Sequence, residues 1–151
     1  MESIVVIGSD HAGFTMKQEL IEKLKENGFV VEDKGTYSEE STDFSPIAQM
    51  VAETVAADER KRGILVCGTG IGMSIMANKI PGIRAALVHD LFSAKATREH
   101  NNTNVLCMGA RIISPAMSWE IASVWLHTDF LGGKHAKRIQ YIADYEENKT
   151  K

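Results

Sequence analysis

The stretch of this sequence best suited to chemistry is residues 67–74, where a cysteine precedes three closely spaced glycines. Cys67 ends an apolar run, 63–66, that is typical of a buried strand, and the glycines lead into a helical pattern over 73–79. Backbone N–H groups at a helix start favour an anion, and the same setting favours the thiolate form of a nearby cysteine. The segment therefore predicts a reactive thiol beside an anion site.

Two plainer interpretations stay open from the residues alone: the glycines make only a tight turn, and Cys67 is an inert buried thiol. The spacing is not that of a dinucleotide-binding loop, because GxGxG follows the third predicted strand where GxGxxG would follow the first. Lys79 lies too far downstream for a Walker-type phosphate loop. Cys107, in the middle of a predicted strand, is expected to be inert.

Further polar residues follow or precede predicted strands. Asp10 and His11 follow the first strand and are candidate site residues. The plainer interpretation of Asp10 is a helix cap, and that of His11 is a solvated loop residue. His100 begins an amide-rich run, 100–104, and could act as a general acid or base near neutral pH; the alternative is a polar turn.

Basic residues form the last cluster. Lys134 and Arg138 lie four residues apart on one face of a predicted helix, a spacing that suits a phosphate clamp. The alternative is a solvated helix face. Arg111, just after the fifth strand, is another candidate anion ligand.

Strands and helices alternate along the chain, the pattern of right-handed βαβ units and a parallel sheet. The predicted strands are 4–7, 29–32, 64–67, 84–88 and 104–108, and the predicted helices are 12–27, 46–60, 70–80, 91–99, 115–127 and 134–147. We predict an α/β fold over a single domain, 1–151, with one doubly wound five-stranded parallel sheet, Rossmann-like or flavodoxin-like, and a C-terminal helix. If the first and third strands are neighbours, as in a flavodoxin-like order, the polar residues that follow them face one crevice at the carboxyl edge of the sheet.

Composition excludes several classes of partner. A net charge of −3 indicates neither nucleic acid nor an anionic membrane surface. No apolar run approaches the ~20 residues of a membrane helix, and the first residues lack the basic segment of a signal peptide. Two cysteines without CxxC spacing argue against a disulfide framework or a zinc site. We expect a cytoplasmic protein without a metal or cofactor.

Taken together, seven motifs resemble ribose-5-phosphate isomerase type B, in the family that also contains the galactose-6-phosphate isomerase subunits. They extend over nearly the whole chain, at residues 9–14, 33–36, 42–43, 67–74, 82–86, 100–104 and 132–133. The resemblance implies a cofactor-independent aldose–ketose isomerisation of D-ribose 5-phosphate and D-ribulose 5-phosphate through a cis-enediolate.

The resemblance also implies roles for individual residues. The residue that matches Cys67 is the base that moves a proton between C2 and C1, and the one that matches His100 assists opening of the furanose ring. Asp10 and Thr69 are grouped with these catalytic residues. Substrate contacts then fall to His11, Gly68, Gly70, Ile71, Gly72, Asn101, Arg111, Lys134 and Arg138, of which the last three belong to the phosphate site.

Chain order predicts that one subunit cannot assemble this whole site. Cys67 and Asp10 follow strands, so they lie at the carboxyl edge of the sheet. His100 precedes a strand and Lys134 follows a helix, so both lie at the opposite edge. We therefore predict a homodimer, with a tetramer as the alternative, in which the partner supplies His100, Lys134 and Arg138.

Two departures from the family pattern concern the substrate. Lys134 stands where arginine is usual, and Phe44 stands where tyrosine is common. One alternative is therefore an isomerase of another sugar phosphate, such as allose or galactose 6-phosphate or a tetrose phosphate. The alternative from a different class is a non-catalytic module that binds phosphometabolites.

Overall fold

The computed structural model describes residues 3–150, so residues 1, 2 and 151 of the predicted domain lie outside the described residues. The strands are β1 Ile4–Ser9, β2 Val30–Asp33, β3 Lys61–Cys67, β4 Ala85–Leu87 and β5 Val105–Gly109. The helices are α1 Phe14–Glu26, α2 Phe44–Ala56, α3 Ile71–Ala77, α4 Leu91–Asn101, α5 Pro115–Leu126 and α6 Lys134–Thr150. Each predicted strand and helix is present, and the predicted fold class is confirmed.

All five strands are parallel, in the order β2-β1-β3-β5-β4. β1 and β3 are neighbours, as in the flavodoxin-like order, and Ser9 lies opposite Val66 at their carboxyl ends. Compared with that order the last two strands are exchanged. β5 occupies the interior position because all five of its residues are buried, whereas the three-residue β4 is partly exposed and suits an edge.

Each face of the sheet carries its own hydrophobic core. On one face α1, α4 and α5 pack against the strands, with Trp125 fully buried among them. On the other face α2 and α3 pack on β3 and β5, and Cys67 belongs to this second core. Gly63 of β3 allows the close approach of α2, because a Cβ there would lie 3.1 Å from a methyl group of Val51.

Most element boundaries differ from the prediction by a few residues, and two of these differences have local reasons. β3 begins at Lys61, before the apolar run, because Lys61 pairs with Ile4. α2 begins at Phe44, and Pro46 lies in its first turn, where a missing N–H leaves no intrahelical bond unmade.

The last helix, α6, contacts the rest of the fold mainly through α4. Its side chains Tyr141, Ile142 and Tyr145 are exposed. Neither α6 nor any other helix within residues 3–150 combines the length and the apolar character needed to cross a bilayer.

Candidate functional site

The carboxyl end of β3 places Cys67 at the start of the loop that leads into α3. Its side chain is only 5% exposed, and the amide of Gly70 donates a hydrogen bond to its Sγ at 3.1 Å. An N–H group aimed at sulfur stabilises negative charge there. The predicted pairing of a thiol with the glycine-rich turn is therefore present in the fold.

Gly70 holds this turn in a conformation that other residues rarely adopt. Its φ is +77°, and a Cβ would lie 2.7 Å from Leu87 and 2.8 Å from the backbone of Met108. Within the described part of the chain, the amides of Gly68 and Thr69 donate no hydrogen bond. They are available to an anion beside the cysteine.

Two other glycines of the loop make room for larger neighbours. The Arg111 amide donates to the carbonyl of Gly68 at 3.0 Å, and its guanidinium lies 3.2 Å from the position of a Gly68 Cβ. The ring of Phe44 lies 2.7 Å from the position of a Gly72 Cβ. Arg111 is therefore at the same edge as Cys67, and Phe44 covers the first turn of α3.

The loop after β1 lies beside the same crevice. The Asp10 amide donates to the carbonyl of Val66 on β3 at 3.2 Å, and Asp10 Oδ1 accepts from the amide of Gly13 at 3.1 Å. Asp10 thus closes the turn before α1 but is not the helix cap of its plainer interpretation, because the N-cap of α1 is Gly13. Its second carboxylate oxygen accepts nothing from the described residues. His11 Nδ1 lies 3.1 Å from the amide nitrogen and 3.2 Å from the carbonyl oxygen of Thr42, so it accepts from the amide in one tautomer and donates to the carbonyl in the other.

His89, directly after β4, is a polar residue of this edge that the sequence did not predict. Its Nε2 accepts from the amide of Gly109 at 2.8 Å, and Gly109 lies opposite Cys67 in the sheet. Desolvation lowers the pKa of His89, partly opposed by the charge of Asp90, so the neutral ring is favoured. A polar residue just after the predicted strand 84–88 is the signal that could have found it.

A buried ion pair supports the β1 side of the site. Lys17 has no exposed side-chain surface, and its Nζ lies 2.7 and 2.8 Å from the two carboxylate oxygens of Asp33. Asp33 also accepts from the amide of Gly35, whose carbonyl accepts from the amide of Ser9. The pair therefore fixes the loop after β2 against the end of β1, and no local sequence pattern indicates it.

A second cluster forms where α4 ends and α6 begins. The rings of His100 and His135 stack with centroids 4.6 Å apart and an interplanar angle of 22°. Desolvation, followed by the charges of His100, Lys134 and Arg138, lowers the pKa of His135. The structure thus brings His100 together with the two predicted phosphate ligands, and Asn101 is the next residue of α4.

These two clusters lie at opposite edges of the sheet, as chain order predicted. α4 begins beyond the carboxyl end of β4 and runs back to the amino end of β5, a length of about 16 Å for its 11 residues. One subunit does not bring His100, Lys134 or Arg138 to Cys67. Within residues 3–150, no group of three or more His, Cys, Asp or Glu side chains is arranged to hold a metal ion.

Fold and site together define a Rossmann-like α/β protein that presents a thiol and free amides at the carboxyl edge of its sheet. Comparison with known proteins is specific. The family model described as Ribose/Galactose Isomerase matches residues 5–142, and the chain belongs to this family. Membership confirms the resemblance drawn from the sequence and the expected class of enzyme, a sugar-phosphate isomerase.

Individual relatives match over nearly their whole length. Bacillus subtilis YwlF is 54% identical over 144 residues, 95% of this chain and 97% of that protein. Ribose-5-phosphate isomerase B of Escherichia coli is 43% identical over 146 residues, 97% of this chain and 98% of that one. The Mycoplasma genitalium ribose-5-phosphate isomerase B structure with bound ribulose-5-phosphate superposes with a TM-score of 0.94 at 38% identity, covering 97% and 99% of the two chains.

Proposed function

We propose that this chain interconverts D-ribose 5-phosphate and D-ribulose 5-phosphate through a cis-enediolate, with Cys67 as the base. The observation that carries the proposal is the 3.1 Å hydrogen bond from the Gly70 amide to Sγ, beside the free amides of Gly68 and Thr69. The names of the Escherichia coli relative and of the Mycoplasma genitalium complex support this choice of sugar.

The geometry suits proton transfer next to a carbonyl group. The thiolate of Cys67 takes the proton from C2 of the open-chain aldose, and the electron pair moves through C1 onto the carbonyl oxygen. The amides of Gly68 and Thr69 would face the resulting oxyanion, where fixed donors stabilise developing charge. Cys67 then returns its proton to C1, while the O2 proton leaves to the second carboxylate oxygen of Asp10 and passes to O1, which yields the ketose.

The remaining groups would come from a second copy of the chain. The partner's His100 assists ring opening, and its Lys134 and Arg138 bind the phosphate, which orients the sugar without reacting. Exposed apolar side chains support a homodimer, since Phe92 at the carboxyl edge is 82% exposed and Tyr141 of α6 is 75% exposed. A tetramer built from such dimers is the alternative.

A coupled assay on ribose 5-phosphate tests the proposal. Cys67→Ala should lower kcat/KM by about a thousandfold, because general-base catalysis contributes on the order of 10²–10⁴. Cys107→Ala is the matched control: it makes the same change at a fully buried thiol in the middle of β5 and should keep its activity. Equal activity of Cys67→Ala and the unchanged protein would overturn the assignment.

A different sugar phosphate remains the second candidate, because Phe44 covers the loop at Gly72 without a hydroxyl group. A relative from Pectobacterium atrosepticum, D-erythrulose-4-phosphate isomerase, is 42% identical over 146 residues. Measuring kcat/KM for pentose, hexose and tetrose phosphates side by side separates the candidates. The ribose 5-phosphate proposal is supported if kcat/KM is highest for that sugar and Phe44→Tyr strengthens the preference. A higher kcat/KM for another sugar phosphate supports the second candidate.

We also propose that residues 1–151 act as one domain in the cytoplasm. Both cysteines are unpaired and buried, which suits a reducing compartment. Thiol-based chemistry at Cys67 also requires that this sulfur stay reduced.

A further inference from the structure

A separate cavity lies at the amino edge of the sheet, at the other end of β3 from Cys67. Its volume is about 510 Å³, within the range of small-molecule sites. Four cationic side chains line it: Lys61, Arg62, Arg84 and Arg98. Among the described residues that line the cavity, Glu59 carries the one carboxylate, so the lining holds a surplus of positive charge.

Carboxylates near the cavity offset this positive charge only in part. Lys61 Nζ forms an ion pair with Glu32 at 2.8 Å, and Asp129 and Glu146 act on the arginines, yet the pKa of each arginine is still lowered. Desolvation, and then the nearby charges of Arg62 and Arg84, lower the pKa of Arg98 to about 10, with Asp129 opposing. Desolvation likewise lowers the pKa of Arg62 and of Arg84. Guanidinium groups that lose hydration and repel one another are stabilised by an anion that binds among them.

The arginines also keep unused donors. Arg84 donates through Nε to the carbonyl of Asn102 at 2.7 Å, and within residues 3–150 its two terminal nitrogens have no hydrogen-bond partner. Arg62 uses only Nη1, in long contacts of 3.4 and 3.3 Å to the carbonyls of Trp125 and Leu126. Paired N–H groups of this kind match the oxygens of a carboxylate or phosphate.

A purely structural role explains only some of the four cationic side chains that line the cavity. Arg98 is buried and holds the end of α4 through hydrogen bonds to Asn102 Oδ1 at 2.9 Å and the Thr103 carbonyl at 2.6 Å. These bonds account for Arg98. Lys61 likewise pairs with Glu32, and Arg62 lies over the ring of Trp125 with its Cζ 5.6 Å from the centroid. Within residues 3–150, no contact accounts for the terminal nitrogens of Arg84 or for Nε and Nη2 of Arg62.

We propose that this cavity binds a small multivalent oxyanion, either a phosphate ester or a polycarboxylate, at a site separate from the substrate site. The anion would contact Arg84, which holds the carbonyl of Asn102. This residue follows His100 by two positions, at the left-handed end of α4. Occupancy of the cavity is thereby linked to the segment that carries His100.

Titration calorimetry with citrate and with inorganic phosphate, at constant ionic strength, tests the proposal. The starting protein is Lys134→Gln/Arg138→Gln, which lacks the proposed substrate-phosphate ligands, so the result does not depend on the proposed function. We expect saturable binding of one anion per subunit. Adding Arg62→Gln should weaken it about tenfold, the loss of roughly one charge-assisted hydrogen bond.

Lys95→Gln is the matched control, since it removes one exposed positive charge of α4 away from the cavity, and it should leave binding unchanged. Arg84→Gln gives a second test within the cavity and should also weaken binding, because its two terminal nitrogens have no hydrogen-bond partner within residues 3–150. Tighter binding of citrate identifies a polycarboxylate site, and tighter binding of phosphate a phosphate-ester site. Absence of saturable binding of both anions, or equal weakening by Arg62→Gln and Lys95→Gln, would overturn the proposal.

Discussion

Mixing two inactive variants tests whether the active site is divided between subunits. Cys67→Ala removes the proposed base at the carboxyl edge, and His100→Ala removes the proposed ring-opening group at the opposite edge. Random reassembly of an equal mixture makes about half of all dimers mixed, and each mixed dimer has one site in which both residues are intact. About a quarter of the unchanged activity should therefore return when the two variants are unfolded together and refolded, measured on ribose 5-phosphate.

The matched control pairs two variants from the same edge. Cys67→Ala mixed with Asp10→Ala should recover nothing beyond the parent activities, because any site that regains Cys67 lacks Asp10. The recovered activity should also be measured over a range of mixing ratios of Cys67→Ala and His100→Ala, because it should be highest at equal amounts. Failure of Cys67→Ala and His100→Ala to complement, or equal recovery in the control pair, would refute the divided site.

Three further perturbations test single features of the structure. Lys17→Met leaves the carboxylate of Asp33 without its buried partner and should lower the free energy of unfolding in urea by about 3 kcal/mol; an unchanged midpoint would contradict the buried pair. Gly70→Ala combines a φ of +77° with a 2.7 Å clash and should lower kcat/KM by at least about tenfold. Gly132→Ala is the matched control: its φ is +69°, but no atom lies within 4 Å of its Cβ, and it should keep its activity. Because folding lowers the pKa of His89 from 6.5, its contribution to stability is complete above that value and is lost as the pH falls through the folded pKa. His89→Gln should make thermal stability less dependent on pH between about pH 7 and about pH 5, and an unchanged pH profile would contradict this role.

Much of the fold can be predicted because buried parallel strands are continuous apolar runs. β5, from Val105 to Gly109, is buried at every residue, and the runs that end at Ser9 and Cys67 are buried over most of their length. The order of the last two strands cannot be predicted in this way. Periodicity identifies a strand but not its neighbours, and the exchange of β4 and β5 depends on which of them buries both faces.

Part of the candidate site can likewise be predicted from the local sequence, and part depends on contacts between distant segments. Asp10 and Cys67 follow predicted strands, and His100 precedes one, so chain order alone assigns them to opposite edges. The ion pair of Lys17 with Asp33 joins residues 16 positions apart in two different elements, and no local pattern indicates such a contact. The cavity at Arg62 and its neighbours likewise forms only when several chain segments meet.

The two halves of the proposed site differ in how the fold supports them. Cys67 lies at the end of a buried strand, and the hydrogen bond from the Gly70 amide to its sulfur is formed within one subunit. The cluster at His100 depends on the ends of α4 and α6, and α6 contacts the domain mainly through α4. Docking of a partner would bring the proposed phosphate ligands to the thiol. Because phosphate binding energy orients the reacting carbons, assembly would raise kcat/KM by positioning the substrate and leave the base itself unchanged.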